Sequence, residues 1–332
     1  MYRRILSSII NFLNSIGATT IISAEMTEAV GRDIISYLTS GEFVLRKIKR
    51  RDGKVFRTIE VLKYRGDDAY LGEHYFTITP RGIVVYPIIP VFRPKKYERE
   101  LFSTGNAELD RMLGGGILKG SKVYIAGKTG VGKTSLCLQI LKENDENGKL
   151  GILYTFDESK DVILRKYKDV FDYEPRKLIV REVGDVNLGE FYNMVINDLK
   201  LNPEIVAVDP LNALDEMAIS TAEFLSMLSL LKRQMEALGV TFVGIYEIGQ
   251  PVSEFHFTGA GMSRFADYLI VGRHVEMDGE LLKAIAVVKN RFGDHERTIR
   301  ILDIEKGKGL LIGEPLKEHS GLMSGIIQKI SQ

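Results

Sequence analysis

Residues 127–134 read Gly-Lys-Thr-Gly-Val-Gly-Lys-Thr, with the apolar run KVYIAG (122–127) leading in and a helix-forming stretch leading out. The pattern G-x4-GK[ST] between a strand and a helix is a phosphate-binding loop, and few folds accommodate it. Its glycines let the backbone curl around a phosphate with the amides pointing inward. The N-terminus of the following helix adds partial positive charge. On this reading Gly127, Lys128, Thr129, Gly130, Val131, Gly132, Lys133, Thr134 and Ser135 form a nucleotide-phosphate site. Lys133 reaches the β- and γ-phosphates, and the Thr134 hydroxyl meets Mg2+.

The chain around the loop alternates strand-like and helix-like segments. In order they are KVYIAG, a helix over 133–143, GILYTF, a helix near 159–168, KLIVREV, a helix over 188–200, IVAVD, a helix over 221–237, and TFVGIYE. Such alternation predicts an α/β fold with a mostly parallel sheet covered by helices. YLIVGRHV, AIAVVKNR and TIRILDI follow closely enough to pair as an antiparallel extension.

The chain also repeats itself. LSSIINFLNSIGATTIISAE (6–25) runs without a gap against LSLLKRQMEALGVTFVGIYE (228–247), aligning Leu6 with Leu228, Gly17 with Gly239, Thr19 with Thr241 and Glu25 with Glu247. Each copy reads as an amphipathic helix, a glycine stop and a buried strand ending in Glu. The match resumes four residues out of step. Asp52-Gly53 falls on Asp278-Gly279, a hairpin signal in both places, and Lys63-Tyr64-Arg65 falls on Lys289-Asn290-Arg291. FTITPRGIVV (76–85) parallels LDIEKGKGLLI (302–312), so residues 1–86 duplicate 223–312. Residues 1–98 are therefore expected to be the C-terminal half of one domain, lacking a phosphate loop. A complete domain is expected over 99–314 and a tail over 315–332. The half copy should carry a strand over 18–24 with an unpaired edge, and the helix over 4–15 should lack cover. Docking, pairing with another chain, or a start inside a longer protein would each account for that. The opening Met1-Tyr2-Arg3-Arg4 and its apolar run imitate a secretory leader, but their recurrence inside the chain assigns them to the fold.

Three further groups carry chemistry. Asp209 closes the apolar strand 205–209, the position from which phosphate-loop enzymes deliver a carboxylate to Mg2+. Asp157 and Glu158 follow strand 151–156, where a carboxylate can polarise the water that attacks a γ-phosphate, Glu158 being the preferred one. A cap for the helix at Ser159 is the other reading. Lys289 and Arg291 alternate on a late strand and so share a face. They are either cations for a neighbouring subunit's phosphate or a solvated strand edge.

Together these features resemble the KaiC family of the RecA superfamily. The resemblance is carried by STGNAELDRMLGGGILKGSKVYIAGKTGVGKTSL (103–136), LYTFDES (153–159), IVAVDPLNAL (205–214) and VEMDGELLKAIAVVKNRFGDHER (275–297), with LKYRGDDAYLGEHYFTITPRGIVVYP (62–87) similar to the end of the first domain in double-domain members. It implies a RecA-like core, Mg-dependent ATP hydrolysis and hexameric rings with ATP between subunits. Asp157 and Glu158 would be the catalytic acidic pair, and Lys289 and Arg291 would act in trans. It implies a signalling or regulatory ATPase. The clock member's phosphorylated Ser-Thr pair would fall at Ser263-Arg264, where the threonine is absent, so a two-site autokinase cycle is not expected.

The alternative is a recombination accessory ATPase that binds DNA. Phosphate contacts need cations, yet 210–231 holds Asp215, Glu216 and Glu223 without Lys or Arg until Lys232, and 249–263 holds Glu254 and no cation. The basic hairpin 46–57 is the one candidate nucleic-acid surface, with a solvated ribbon as the plainer reading. Residues 1–100 hold 17 Lys/Arg against 11 Asp/Glu in a chain of net charge +1, so the remainder is acidic. A single cysteine, Cys137, excludes a disulfide framework and points to a reducing cytoplasmic setting. No apolar run reaches the ~20 residues needed to span a bilayer.

Overall fold

The computed structural model describes residues 2–25, 36–50, 53–66, 70, 72–94, 96–248, 264–277, 279–316, 319–320 and 328–329. Two compact units emerge. One joins Met1–Lys49 with Val55–Pro87, the other Arg50–Lys54 with Ile88–Gln332.

The larger unit is built on a nine-stranded sheet. Its strands are β7 (Lys122–Gly127), β8 (Gly151–Thr155), β9 (Leu178–Glu182), β10 (Ile205–Asp209), β11 (Thr241–Glu247), β12 (Tyr268–Met277), β13 (Glu280–Asn290), β14 (Arg300–Glu305) and β15 (Gly309–Pro315). The order is β15-β14-β13-β12-β7-β11-β10-β8-β9. From β12 to β9 all neighbours are parallel, and β13 to β15 fold back as an antiparallel meander. β7, β8 and β11 are buried along nearly their whole length. That explains their continuous apolar runs, since a parallel sheet is covered on both faces.

The helices are α3 (Lys133–Glu146), α4 (Lys160–Phe171), α5 (Leu188–Leu199) and α7 (Thr221–Leu238), with the short α2 (Ala107–Met112) and α6 (Asn212–Met217). Caps in the sequence fix their ends. The Ser159 hydroxyl accepts from Val162 N, Asn187 and Glu190 form a reciprocal box, and Ser220 accepts from Glu223 N. α7 stops at Gly239, in the left-handed region at φ 73°. Leu136, Cys137, Ile140 and Leu141 of α3 enter the core with Val123, Ile125, Leu153, Ala207, Val243 and Ile245 of the central strands. A two-strand ribbon, β5 (Leu101–Phe102) with β6 (Ile117–Leu118), precedes β7. Residues 89–92, ahead of this ribbon, lie along the same unit. Val91 N and Phe92 N both donate to Gln234 Oε1 at 2.7 Å, and the Tyr192 hydroxyl bonds to Ile89 O.

The smaller unit holds α1 (Tyr2–Ser15) and four strands, β1 (Gly41–Lys49), β2 (Val55–Tyr64), β3 (Glu73–Thr79) and β4 (Gly82–Tyr86), paired in the order β1-β2-β3-β4. This reproduces the β12-β13-β14-β15 meander down to its defects. A bulge lies between Glu42 and Phe43 in β1 and between Leu269 and Ile270 in β12, after two equivalent pairs in each case. Gly17 and Gly239 share a positive φ, 72° and 73°. One expectation fails. Residues 18–25 form no strand, and Ile21 is 93% exposed. Its counterpart β11 is hydrogen-bonded between β7 and β10. Among the described residues no strand of the smaller unit lies beside 18–25 as β7 and β10 lie beside β11. Ile5, Ile9 and Phe12, the apolar stripe of α1, are correspondingly exposed.

The tail's apolar stretch 322–330 lies outside the described residues except for β17 (Gln328–Lys329), which pairs with β16 (His319–Ser320). Among the described residues no helix is long and apolar enough to cross a membrane.

The two copies predict opposite mutational costs. Ile245→Ala in β11, fully buried, should cost about 2–5 kcal/mol, whereas Ile21→Ala should stay within about 0.5 kcal/mol. Denaturant titration of both variants measures the difference. A comparable loss at Ile21 would show that 18–25 is packed as a strand after all.

Candidate functional site

The loop after β7 is shaped by contacts that exclude side chains. A Cβ on Gly127 would lie 2.5 Å from the carbonyl oxygen of Gly272 on β12, and one on Gly132 would lie 2.8 Å from Ile304 Cδ1. Gly130 and Gly132 also take positive φ, 83° and 96°, which suits glycine. Val131 is buried and pins the loop, while Lys128, Thr129 and Gly130 are exposed at its tip. Lys133, Thr134 and Ser135 form the first turn of α3, whose free amides face the loop. Lys133 Nζ donates to Lys128 O at 2.9 Å, across the loop's mouth. Burial lowers the Lys133 ammonium pKa, and the charges of Glu247 and Asp209 work against that shift.

Thr134 and Asp209 meet beneath the loop, the Thr134 hydroxyl donating to Asp209 Oδ2 at 2.7 Å. Burial pushes the Asp209 carboxyl up to about 6. The Thr134 hydrogen bond opposes that shift, and the charge of Glu158 adds to it. Thr134 and Asp209 supply one hydroxyl and one carboxylate. That set suits Mg2+, which keeps several waters and takes phosphate oxygens instead of filling an all-protein cage.

Glu158 reaches the same place from β8. Thr155, paired with Asp209 across the sheet, bonds through its hydroxyl to Glu158 O at 2.8 Å and fixes the turn. One Glu158 oxygen accepts from Lys166 Nζ, and the other is buried without a hydrogen-bond partner. A buried orphan acceptor beside a phosphate loop is where a reacting water would find its partner. Asp157 is more exposed. Its carboxyl is raised by burial, then by the charges of Glu247 and Glu158.

Sequence reasoning missed three neighbours. Glu247 ends β11 opposite Gly127, and its side chain bonds to the Thr129 hydroxyl. Asn212 holds Glu247 through both backbone groups, at 2.7 and 3.0 Å. The signal was present, since Glu247 closes its strand as Asp209 does. His274 lies two residues beyond Gly272 on β12, its Nε2 3.2 Å from Thr129 O and its Nδ1 buried without a partner. Only the β7–β12 register reveals that neighbour. Lys166, one turn inside α4, was legible only once Glu158 was placed.

Lys289 and Arg291 are not brought to the loop. Lys289 pairs with Leu269, which pairs with Tyr124 near the start of β7, whereas the loop leaves its end. Lys289 Nζ donates to Ala266 O at 2.7 Å. Arg291 lies beyond the strand, which ends at Asn290, so simple alternation does not set its direction. It bonds instead to Asp267 Oδ1 at 3.2 Å and Arg264 O at 3.3 Å. Both cations thus hold the 264–267 segment at the far end of the sheet. Ser263 lies outside the described residues.

A family profile described as "ATPase: KaiC" matches residues 1–89, 102–182 and 186–317. The chain is 30% identical to the "Circadian clock protein KaiC3" of Synechocystis sp., over 94% of this chain and 64% of that protein. It is 28% identical to the "Circadian clock oscillator protein KaiC" of Synechococcus elongatus, over 99% and 65%, and 27% identical to that of Picosynechococcus sp., over 99% and 66%. The chain therefore spans just under two thirds of the length of these relatives.

The raised Asp209 carboxyl predicts a pH effect. The folded chain holds that proton more tightly than the unfolded chain does. The group therefore favours folding at low pH, and its contribution is lost as pH rises through about 6. Asp209→Asn, which cannot ionise, should be more stable than the parent at pH 8 in metal-free buffer, by up to about 3 kcal/mol. The advantage should vanish near pH 4. Thermal melts across that range check the sign.

Proposed function

The chain belongs to the KaiC ATPase family, and from that premise we propose that it binds ATP at residues 127–135 and hydrolyses it as a cytoplasmic, ring-forming regulatory ATPase. The observation that carries this reading is the bond between Thr134 and Asp209 directly under the phosphate loop. In the proposed complex the triphosphate takes the place of Lys128 O as the partner of Lys133 Nζ, so the ammonium moves from a backbone oxygen to phosphate. The amides opening α3 hold the β-phosphate. Thr134 and Asp209 hold Mg2+, which supplies charge neutralisation on the phosphate oxygens. Glu158 accepts a hydrogen bond from the attacking water through its unpartnered oxygen, while Lys166 fixes the other oxygen in place. Asp157 adds negative charge at the same edge and keeps the water polarised.

Lys289 and Arg291 enter from an adjoining copy. Their distance from their own loop supports that assignment, because a cation that serves a γ-phosphate must lie within hydrogen-bond reach of it. A closed ring pairs one loop with one arginine at every boundary, and the family resemblance favours six copies in it. Nucleic acid is not part of the proposal. Arg46, in the basic hairpin, is paired with Glu60 at 2.5 Å and Glu73 at 2.7 Å. The acidic segment 210–231 is mostly helical in α6 and α7, and 249–263 lies outside the described residues.

Three chains test the reading. Lys133→Ala should abolish binding of a fluorescent ATP analogue. Glu158→Gln should keep that binding and slow turnover at least ~100-fold; a parental rate would remove Glu158 as the water's partner. Neither Lys133→Ala nor Arg291→Ala should hydrolyse ATP alone, yet a mixture should recover part of the rate. ATP should also shift the chain to a larger species in light scattering. A strictly monomeric protein with full activity would refute the ring.

A further inference from the structure

We propose that Asp267 is the positioning residue for Arg291, a role that rests on the trans reading above. Asp267 is 3% exposed and sits just before β12. Its backbone N–H donates to Lys122 O at 2.8 Å, and its Oδ2 accepts from Lys122 N at 3.0 Å. On its other side, its carbonyl accepts from Arg291 N at 2.9 Å and its Oδ1 from Arg291 Nη1 at 3.2 Å. One buried residue thus joins the first residue of β7 to Arg291, its carboxylate meeting the guanidinium and its carbonyl the backbone N–H. Arg291 itself is half exposed, with its side chain at 50%. It lines an open cleft of about 210 Å³ with Lys122, Lys232 and Glu236. A long, flexible arginine at such an edge samples many rotamers unless something fixes it. Asp267 supplies a charge-assisted bond from a rigid, buried base.

The internal duplication provides a control within the same chain. In the half copy Lys63 Nζ donates to Thr39 O at 2.8 Å, as Lys289 Nζ does to Ala266 O. Arg65 N donates to Ser40 O at 2.8 Å, as Arg291 N does to Asp267 O. The backbone frame is the same in both copies, bulge included. The side chain is not, because Ser40 stands where the complete copy has Asp267. The frame therefore folds without the carboxylate. The bulge does not require the carboxylate, and in the complete copy that carboxylate meets the Arg291 guanidinium.

Mixing experiments distinguish positioning from a structural role. Asp267→Asn keeps an acceptor for Lys122 N but loses the charge facing Arg291, and with it the ion pair to Lys122 Nζ at 3.6 Å. It should lower kcat about tenfold or more, while the affinity for a fluorescent ATP analogue stays at the parental value. Mixed with Lys133→Ala, it should recover activity, because the Lys133→Ala chain donates an intact Arg291. Mixed with Arg291→Ala, it should recover nothing, because both chains are defective donors. Asp267→Ser, which imitates the half copy, should behave the same way. The reverse pattern, recovery with Arg291→Ala but not with Lys133→Ala, would place the defect in β7 and its loop and overturn the inference. A parental rate in Asp267→Asn, or loss of the folded chain in both Asp267 variants, would also overturn it. If Arg291→Ala and Lys133→Ala fail to recover together, the trans reading fails and this inference falls with it. If they recover while Asp267→Asn turns over normally, only the inference falls.

Discussion

Everything at the site depends on β7 being hydrogen-bonded on both edges. β11 pairs with it so that Glu247 stands opposite Gly127, and β12 pairs with it so that Gly272 does. The loop can turn away from the sheet only because Gly127 presents no Cβ to the Gly272 carbonyl. That close approach ties the loop to β12, and through it to His274 beside Thr129. On the other flank, β10 and β8 follow in register and end together at Asp209 and Thr155. The carboxylates therefore converge because parallel strands end at one level and each is followed by an acid. The crevice at those carboxyl ends is where open α/β sheets bind ligands.

The half copy shows what the same sequence pattern does without that central strand. Its meander is intact, since β1 to β4 satisfy one another locally. Its helix forms, as an amphipathic segment with a glycine stop will. Its strand does not, because a parallel strand owes its hydrogen bonds to neighbours distant in sequence. Local pattern was enough for the antiparallel elements and not for the parallel one.

That contrast accounts for how much could be read in advance. The phosphate loop, β10 with its terminal Asp209, and the turn after β8 announced themselves because each is a short contiguous pattern tied to one chemical task. The mostly parallel sheet followed from alternation, while its strand order came only with the structure. His274 and Asp267 escaped because their roles are set by register across the sheet and by nothing in their own segments, whereas Glu247 closes its strand as Asp209 does and was passed over. Asp267 is the clearest case. Its sequence neighbourhood, Phe265-Ala-Asp-Tyr268, looks like an ordinary strand entry. Only the bonds to Lys122 and Arg291 show that it links two distant pieces of the chain. The duplication, legible in the sequence as aligned letters, became informative only when the two frames could be compared bond for bond, with Ser40 standing in place of Asp267.

Charge is what an adjoining copy would add to the proposed site. Asp157, Glu158, Asp209 and Glu247 gather around the loop, and the pKa of Asp209 is raised by burial and by its acidic neighbour. Lys133 stands among them, and Lys166 is engaged by Glu158. A triphosphate brings further negative charge into that space. Backbone amides and a helix terminus contribute only partial charges. Catalysis also requires stabilisation of charge that spreads over the departing phosphoryl oxygens. In the proposed reaction the further positive charge would come from a divalent cation and from side chains of an adjoining copy. The chain carries such side chains, Lys289 and Arg291, but at the opposite end of the sheet, with Arg291 fixed to Asp267 and half open to solvent. An acid-rich loop at one end and an anchored guanidinium at the other would complement each other between two copies, and that complementarity is what the proposed assembly rests on.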